Sequence, residues 1–232
     1  MKQIPLDIGL KPCPRLETWV AGPNQQLYAH VQQVLAQQGA VATTTYVWGP
    51  AGSGRTHLLQ AVVQDLQDQG LHVGWLDAQC QFAPAFDQRW SAVVLDDVHR
   101  YNAQQQHIAF NWFVHARAND SGQPVWVLAA GDVPVTDLAL RDDLRSRLGW
   151  GLTFALQPLG EADVRLALRQ AAQERGLELT DEVLNYMLTR FARDLGSLNG
   201  LLDRLDDYAL ETRRALSIPL LKQMLNETES TC

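Results

Sequence analysis

Residues 49–56 carry the side chains with the clearest chemical potential in this sequence. Their order is Gly-Pro-Ala-Gly-Ser-Gly-Arg-Thr, the phosphate-loop pattern G-x-x-x-x-G-K-[ST] with arginine in place of lysine. The glycines let several backbone N–H groups point together at a phosphate chain, at the positive end of the following helix. Thr56 can place its hydroxyl on Mg²⁺, and Arg55 can hold phosphate oxygens with its planar guanidinium. We therefore expect nucleotide binding, with hydrolysis weakened by the missing lysine. The residues predicted to bind nucleotide here are Gly49, Pro50, Ala51, Gly52, Ser53, Gly54, Arg55, Thr56 and His57.

A pair of carboxylates, Asp96 and Asp97, follows an apolar run at 92–95. A short continuous run of this kind is typical of a strand that is buried on both faces of a parallel sheet. The carboxylates would emerge at the carboxyl end of that strand, where open α/β sheets bind ligands. We expect Asp96 to bind Mg²⁺ together with Thr56, and Asp97 to be the second acid. Each motif alone also fits a simple turn, but their order along the chain favours a nucleotide site.

Strand-like and helical patterns alternate along the first two thirds of the chain. This alternation predicts an α/β fold in which helices flank a parallel sheet. The predicted strands are 44–48, 72–76, 92–96, 125–130 and 152–156, and the helices are about 25–38, 56–69, 103–118 and 138–147. The glutamine run at 104–106 is interpreted as a polar helix face. After Pro158 only helical periodicity remains, at about 161–175, after Thr180, at 195–213 and after Ser217. We therefore predict a tail at 1–14, a nucleotide-binding domain at 15–157 and a small all-helical lid domain at 158–232.

The overall composition limits the classes of function. Of the 232 residues, 46% are hydrophobic and 19% charged, which is ordinary for a globular protein. A net charge of −7 argues against a protein whose main task is to bind the DNA backbone. Cys13, Cys80 and Cys232 have neither disulfide nor metal spacing, which favours a reducing compartment. We find no secretory signal and no apolar run of about 18 residues, and therefore expect a cytoplasmic protein without membrane contact.

These motifs resemble those of the DnaA family of AAA+ ATPases. Four segments carry the resemblance: 19–27 (Trp-Val-Ala-Gly-Pro-Asn-Gln-Gln-Leu), the loop at 49–56, the run at 93–97, and 144–151 (Leu-Arg-Ser-Arg-Leu-Gly-Trp-Gly). The last segment is the most specific, and it resembles the DnaA box that carries the arginine finger. The resemblance covers nearly the whole chain and implies a P-loop AAA+ fold followed by a helical lid.

The resemblance also implies roles for individual residues. Arg147 would be an arginine finger that acts in trans, in the nucleotide site of a neighbouring DnaA molecule. Asp97 would be the catalytic acid and Asp132 the first sensor residue. An adenine nucleotide, ADP or ATP, would be the cofactor, together with Mg²⁺. The implied ligands are Val20, Ala21 and Asn24 for the base, and Thr56 and Asp96 for the metal.

Departures from the family pattern indicate that the chain's own ATPase activity is weak or absent. Asp97 is one methylene shorter than the glutamate of most AAA+ proteins. Gly196 stands where the lid of DnaA supplies a sensor arginine, and Arg193 is a nearby substitute that the sequence leaves open. Together with Arg55, these differences predict a bound nucleotide, ADP above all, that sets conformation and is hydrolysed slowly.

The two ends of the chain suggest its partners. No helix-turn-helix domain follows before Cys232, and only about 20 residues precede the core. In both respects the chain resembles the short regulatory inactivators within the DnaA family. Their implied partners are DnaA and the DNA polymerase III sliding clamp (beta subunit), with DNA contacted through the clamp. Gln3, Leu6 and Ile8 resemble a clamp-binding peptide, and a proline-stiffened tail of this kind loses little entropy on docking. Self-association is left open.

Other interpretations compete with this one. The chain could be a self-sufficient P-loop ATPase, or a helicase-loader-type AAA+ adaptor, although no basic, aromatic-rich stripe for single-stranded DNA is evident. It could also be a structural adaptor in which Arg147 does no chemistry and pairs with Asp142 or Asp143. Arg145 is the alternative to Arg147 as the residue that supplies a guanidinium to the partner. Asp132 could simply form a turn before a proline.

Overall fold

The computed structural model describes residues 14–40, 43–80, 82–117, 124–191, 194–212 and 214–229. These residues form two compact units, one spanning 14–158 and the other beginning at Leu159. The first is an α/β unit and the second is all-helical, which confirms the predicted fold class. Within the described ranges, no helix combines the length and the apolar character needed to cross a bilayer.

The first unit is built on a five-stranded parallel sheet in the order β2-β3-β4-β1-β5. The strands are β1 (Thr44–Trp48), β2 (His72–Leu76), β3 (Trp90–Leu95), β4 (Trp126–Gly131) and β5 (Leu152–Ala155). Every residue of the central strand β4 is buried, as expected where helices cover both faces of a parallel sheet. Strands β1 and β3 flank β4, so the segments that follow these two strands meet at one edge of the sheet.

Four helices cover the two faces of this sheet: α1 (Gln25–Ala36), α2 (Arg55–Asp68), α3 (Ala103–Arg117) and α4 (Asp142–Leu148). Helices α1 and α2 pack on one face, against alternate β4 residues such as Leu128 and Ala130. Helices α3 and α4 pack on the other face, against Val127 and Ala129. Because side chains alternate along a strand, one apolar strand contributes to both cores.

The second unit consists of α5 (Glu161–Glu174), α6 (Asp181–Arg190), α7 (Leu195–Thr212) and α8 (Ile218–Glu229). Helix α5 ends at Glu174, close to the predicted end at 175: Gly176, just beyond it, has φ +69°, and the N–H of Leu177 bonds back to the carbonyl of Ala172 at 2.9 Å. The Thr180 hydroxyl caps α6 by accepting from the N–H of Val183. The four helices bury a leucine-rich core of their own: Val164, Leu168, Val183, Leu184, Met187, Leu188, Leu198, Leu201, Leu205, Leu220, Leu221 and Met224.

Helix α4 begins later than the predicted helix at 138–147. Val135–Asp137 forms a 3₁₀ turn, and Leu138 is extended and buried before α4 begins at Asp142. The apolar spacing that suggested a longer helix therefore comes partly from an irregular segment packed into the core. The observed start places Asp142 and Asp143 in the first turn, where carboxylates interact favourably with the positive helix end.

Gln105 contradicts the interpretation of 104–106 as a polar helix face. Its side chain is buried, and its amide nitrogen donates to the carbonyls of Asp77, Ala78 and Cys80 at 3.3, 3.0 and 3.1 Å. The amide oxygen accepts from the N–H of Asn102 at 3.0 Å. A buried amide is tolerated here because its hydrogen-bonding groups are satisfied. Gln105 thereby fixes the chain that follows β2 to the start of α3.

His30 makes the stability of the first unit sensitive to pH. Its Nε2 lies 2.8 Å from the hydroxyl of Thr45, its ring stacks on Phe154, and burial lowers its pKa below the ordinary value of 6.5. Below about pH 6.5 the unfolded chain binds a proton at this residue more readily than the folded chain does, so acidification favours unfolding. We expect wild-type protein to lose more free energy of unfolding than His30→Gln between about pH 7.5 and about pH 5.5, measured by urea denaturation. Equal losses in the two proteins would contradict this assignment.

Candidate nucleotide-binding site

The loop between β1 and α2 can only be formed with glycines at particular positions. Gly52 and Gly54 have φ angles of +76° and +95°, in the left-handed region that favours glycine. Gly54 immediately precedes α2, which begins at Arg55. A Cβ atom at Gly49 would lie 2.6 Å from the carbonyl oxygen of Leu156. The glycines of the motif are therefore required by the backbone path itself.

The loop has the features that a phosphate chain requires. It leads into the N-terminus of a 14-residue helix, where free N–H groups and the helix dipole attract anions. The Ser53 hydroxyl is buried and has no hydrogen-bond partner among the described residues. A buried polar group without a partner is rare in a folded protein, and a phosphate oxygen would satisfy this one. The loop residues thus fit an oxyanion.

Thr56 and Asp96 form the candidate magnesium site. The Thr56 hydroxyl donates to Oδ2 of Asp96 at 2.7 Å, and Oδ1 of Asp96 accepts from the N–H of Asp97 at 2.9 Å. Burial is the main cause that raises the pKa of the Asp96 carboxyl above its usual range. Across the described ranges, no group of three or more His, Cys, Asp or Glu side chains could hold a metal by itself. Mg²⁺ at Thr56 and Asp96 would need phosphate and water oxygens as well, which is its usual coordination.

Arg55 connects three segments at the edge of the sheet. Its Nη1 donates to the carbonyl of Gly49 and, at 2.8 Å, to that of Gly131, the last residue of β4. Its Nη2 donates to Oδ1 of Asp97 at 3.4 Å, after β3. Only 10% of the Arg55 side chain is exposed. The guanidinium therefore lies across the carboxyl ends of β1, β4 and β3.

Asp97 and Asp132 lie at the same edge as the loop. Asp97 has a left-handed backbone (φ +50°), and Arg100 lies 3.7 Å from its carboxylate. Asp132 directly follows β4, and its Oδ1 lies 3.6 Å from Nδ1 of His99. His99 was not among the predicted site residues, although its position two residues after Asp97 indicated that it lies near the site.

Tyr46 is a second residue near this edge that the sequence did not suggest. Its hydroxyl donates to the carbonyl of Val133 at 2.7 Å. Burial, followed by the charge of Asp132, raises the pKa of the Tyr46 hydroxyl well above its usual range. No sequence pattern points to Tyr46, because it lies within the apolar strand β1.

The segment predicted to lie against the base is held in place by Asn24. The Asn24 amide donates to the carbonyl of Gln157 at 3.0 Å, and the N–H of Gln157 donates back to its Oδ1 at 2.7 Å. Val20 is half-buried and Ala21 is buried. Asn24 thus binds main chain and orders the segment. His57, at the far end of the loop, is exposed.

Arg147 lies between two aromatic rings on the surface formed by α3 and α4. Its guanidinium carbon is 4.4 Å from the ring centroid of Phe110 and 5.1 Å from that of Trp150. Its Nη1 donates to the carbonyl of Asp143 at 3.0 Å. These cation–π contacts hold the guanidinium without neutralising its charge.

The carboxylates closest in sequence are bound by other arginines. Asp142 pairs with Arg145 at 2.6 Å, and Asp143 pairs with Arg141 at 2.7 Å. Among the contacts seen in the described residues, none joins Arg147 to a carboxylate. The alternative in which Arg147 pairs with Asp142 or Asp143 is therefore not observed among the described residues.

Several predicted functional residues lie outside the described ranges. These are Gln3, Leu6 and Ile8 of the tail, and Arg193. Gly196, which stands at the sensor position, is the second residue of α7 and is exposed.

The fold is shared with solved structures of DnaA and RuvB. Domain III of the Thermotoga maritima replication initiation protein DnaA superimposes with a TM-score of 0.75 at 23% identity, covering 93% of this chain and 98% of that one. AMPPCP-bound DnaA from Aquifex aeolicus gives 0.64 at 21% identity, with coverages of 85% and 66%. The Thermotoga maritima RuvB Holliday junction branch migration motor gives 0.66 at 14% identity, with coverages of 94% and 72%. At these identities the likeness establishes the AAA+ fold.

Two family models match the sequence in succession. Residues 161–225 match the model for the lid domain of Hda. Residues 10–155, more than half of the chain, match the model for the bacterial DnaA ATPase domain. The chain therefore belongs to the DnaA family, with a lid of the Hda type.

Proposed function

We propose that this protein is a negative regulator of the initiation of chromosomal DNA replication. It binds the sliding clamp through its N-terminal tail and stimulates hydrolysis of DnaA-bound ATP to ADP by supplying Arg147 in trans. Membership of the DnaA family and the Hda-type lid support a role in the DnaA pathway. As an activator of a partner's ATPase, the protein needs little hydrolytic activity of its own.

The geometry of Arg147 is the observation that carries this proposal. The guanidinium is held by Phe110 and Trp150 on the protein surface, and the neighbouring carboxylates are paired with other arginines. Its positive charge is therefore available to a phosphate group of a docked protein. A guanidinium placed at a transferring phosphoryl group stabilises the negative charge that develops there, an effect of about 10³ to 10⁵ in rate.

The protein's own nucleotide site is proposed to bind an adenine nucleotide with Mg²⁺. The buried Ser53 hydroxyl and the loop at the start of α2 would bind phosphate oxygens, and Thr56 and Asp96 would hold the metal. With ATP bound, Asp97 would orient the water that attacks the terminal phosphate. Arg55 and Arg100 each lie against one carboxylate oxygen of Asp97, which leaves that carboxylate less free to orient water and supports slow hydrolysis. The DnaA relative bound to AMPPCP supports the choice of an adenine nucleotide.

The tail gives the first test of the whole proposal. Hydrolysis of ATP prebound to DnaA would be followed with DNA-loaded clamp, with the clamp omitted, and with this protein wild type or carrying both Leu6→Ala and Ile8→Ala. We expect stimulation that requires the clamp, and a double variant that needs about 100-fold more protein for the same rate, because two apolar side chains no longer dock.

Leu10→Ala is the matched control, because it removes a leucine from the same tail outside the motif at residues 3–8. It should behave as wild type. Stimulation that is equal with and without the clamp would remove the clamp from the mechanism. No stimulation in any arm would favour a helicase-loader-type adaptor or an independent ATPase.

A further inference from the structure

Arg55 uses its guanidinium in a way that the phosphate-loop motif does not require. It contacts the loop at Gly49, the end of β4 at Gly131, and the acid at Asp97. We propose that Arg55 is the residue that selects the length of the phosphate chain: it closes the terminal-phosphate position, so that the site accepts nucleoside diphosphates and discriminates against triphosphates. This inference rests on the proposed nucleotide binding and goes beyond it by assigning the selectivity to one side chain.

The position of the guanidinium follows from the strand order. The loop follows β1 and Asp97 follows β3, and these strands are separated by β4. Because neighbouring strands lie about 4.8 Å apart, the loop and the acid face each other across about 10 Å. In P-loop proteins the terminal phosphate and its metal lie between these two segments. The Arg55 guanidinium lies in that interval, bonded on one side to Gly49 and on the other to Asp97.

The charges make displacement of Arg55 costly. A terminal phosphate would take the guanidinium away from Asp97 and add negative charge beside Asp97 and Asp96. Because Arg55 is almost entirely buried, its ion pair with Asp97 is poorly screened by solvent on the arginine side. Arg100 also reaches Asp97, but it is 60% exposed and lies farther away, at 3.7 Å, so it compensates little.

Arginine and lysine are not equivalent in this position. A guanidinium has five donors in a planar fork and can serve two carbonyls and a carboxylate together, whereas an ammonium is a single point charge. The Ser53 hydroxyl is not hydrogen-bonded to Arg55, so it remains available to the inner phosphates of a diphosphate when lysine replaces Arg55. Replacement of Arg55 by lysine should therefore affect triphosphates more than diphosphates.

The test measures binding, not turnover. Dissociation constants for ADP and for a non-hydrolysable ATP analogue would be determined by calorimetry in the presence of Mg²⁺, on the full chain, for wild type, Arg55→Lys and Arg100→Lys. We expect wild type to bind ADP more tightly than the analogue. In Arg55→Lys this preference should fall at least about tenfold, the effect of one charge-assisted hydrogen bond. Arg100→Lys should keep the wild-type ratio.

Asp97→Asn provides a second, independent arm. It removes the carboxylate that holds Arg55, so Asp97→Asn alone should bind the ATP analogue more tightly than wild type does. The same substitution should improve binding less in a protein that also carries Arg55→Lys. An unchanged ADP-to-analogue ratio in both Arg55→Lys and Asp97→Asn would overturn the inference while leaving nucleotide binding intact. If wild-type protein bound neither nucleotide, the proposed nucleotide site itself would be refuted, and this inference with it.

Discussion

Replacing Arg147 by alanine will lower the rate at which this protein drives hydrolysis of DnaA-bound ATP by about 10³-fold or more. The reason is that the variant loses the guanidinium that would neutralise charge developing on the partner's phosphoryl group. Single-turnover hydrolysis of ATP prebound to DnaA, with DNA-loaded clamp, measures the loss. Arg147 has no charged partner among its described contacts, so its removal leaves no carboxylate without its ion-pair partner. We therefore expect the variant to fold.

Arg145→Ala is the matched control for Arg147, because Arg145 lies on the same short helix. Its guanidinium is bound by Asp142 at 2.6 Å and approaches the carbonyl of Leu138 at 3.4 Å. We expect Arg145→Ala to retain most of the stimulation, and Arg147→Lys to retain little, since an ammonium lacks the planar fork. If Arg145→Ala were inactive and Arg147→Ala active, the roles assigned to these two residues would have to be exchanged.

Replacing Gly151 by alanine will destabilise the first unit by about 3 kcal/mol or more. Gly151 immediately precedes β5, and a Cβ atom there would lie 1.8 Å from the carbonyl oxygen of Thr44, at the start of β1. Because the obstacle is backbone, no change of side-chain rotamer can relieve it, and β1 and β5 would have to separate. The free energy of unfolding from urea titration measures the effect.

Gly149→Ala tests whether this effect is specific to position 151. Gly149 belongs to the same sequence box and adopts right-handed helical angles after α4. A Cβ atom there would meet its nearest neighbours at an ordinary 3.5 Å. We expect a change of less than about 0.5 kcal/mol. Comparable losses of stability at both positions would mean that the cost at Gly151 does not come from the close contact between β5 and β1.

The sequence predicted those features that depend on local pattern. Buried parallel strands are continuous apolar runs, and the loop at 49–56 is defined by glycine spacing, so the α/β fold and the location of the candidate site could both be predicted. The loop, Asp97 and Asp132 follow β1, β3 and β4, and these strands are neighbours in the sheet, so the three segments lie at one edge.

Features that depend on contacts distant in sequence were not predictable. Arg55 bonds to Gly131, 76 residues away, and the motif gives no indication that its guanidinium contacts the backbone. Gln105 appears polar in any periodicity analysis, yet it is buried because three carbonyls converge on its amide. In both cases the partner groups are main-chain atoms, whose positions the residue types do not encode.

The exposure of Trp150 gives the surface around Arg147 an intrinsic optical signal. Of the seven tryptophans, all of which lie in the described part of the chain, Trp150 alone is exposed, with 54% of its surface accessible. Its indole is contacted by the guanidinium groups of Arg117 and Arg147. Water-soluble quenchers would therefore reach this indole before the others, and a protein docking against Arg147 would shield it. Occupation of this surface can thus be followed by intrinsic fluorescence in unlabelled protein.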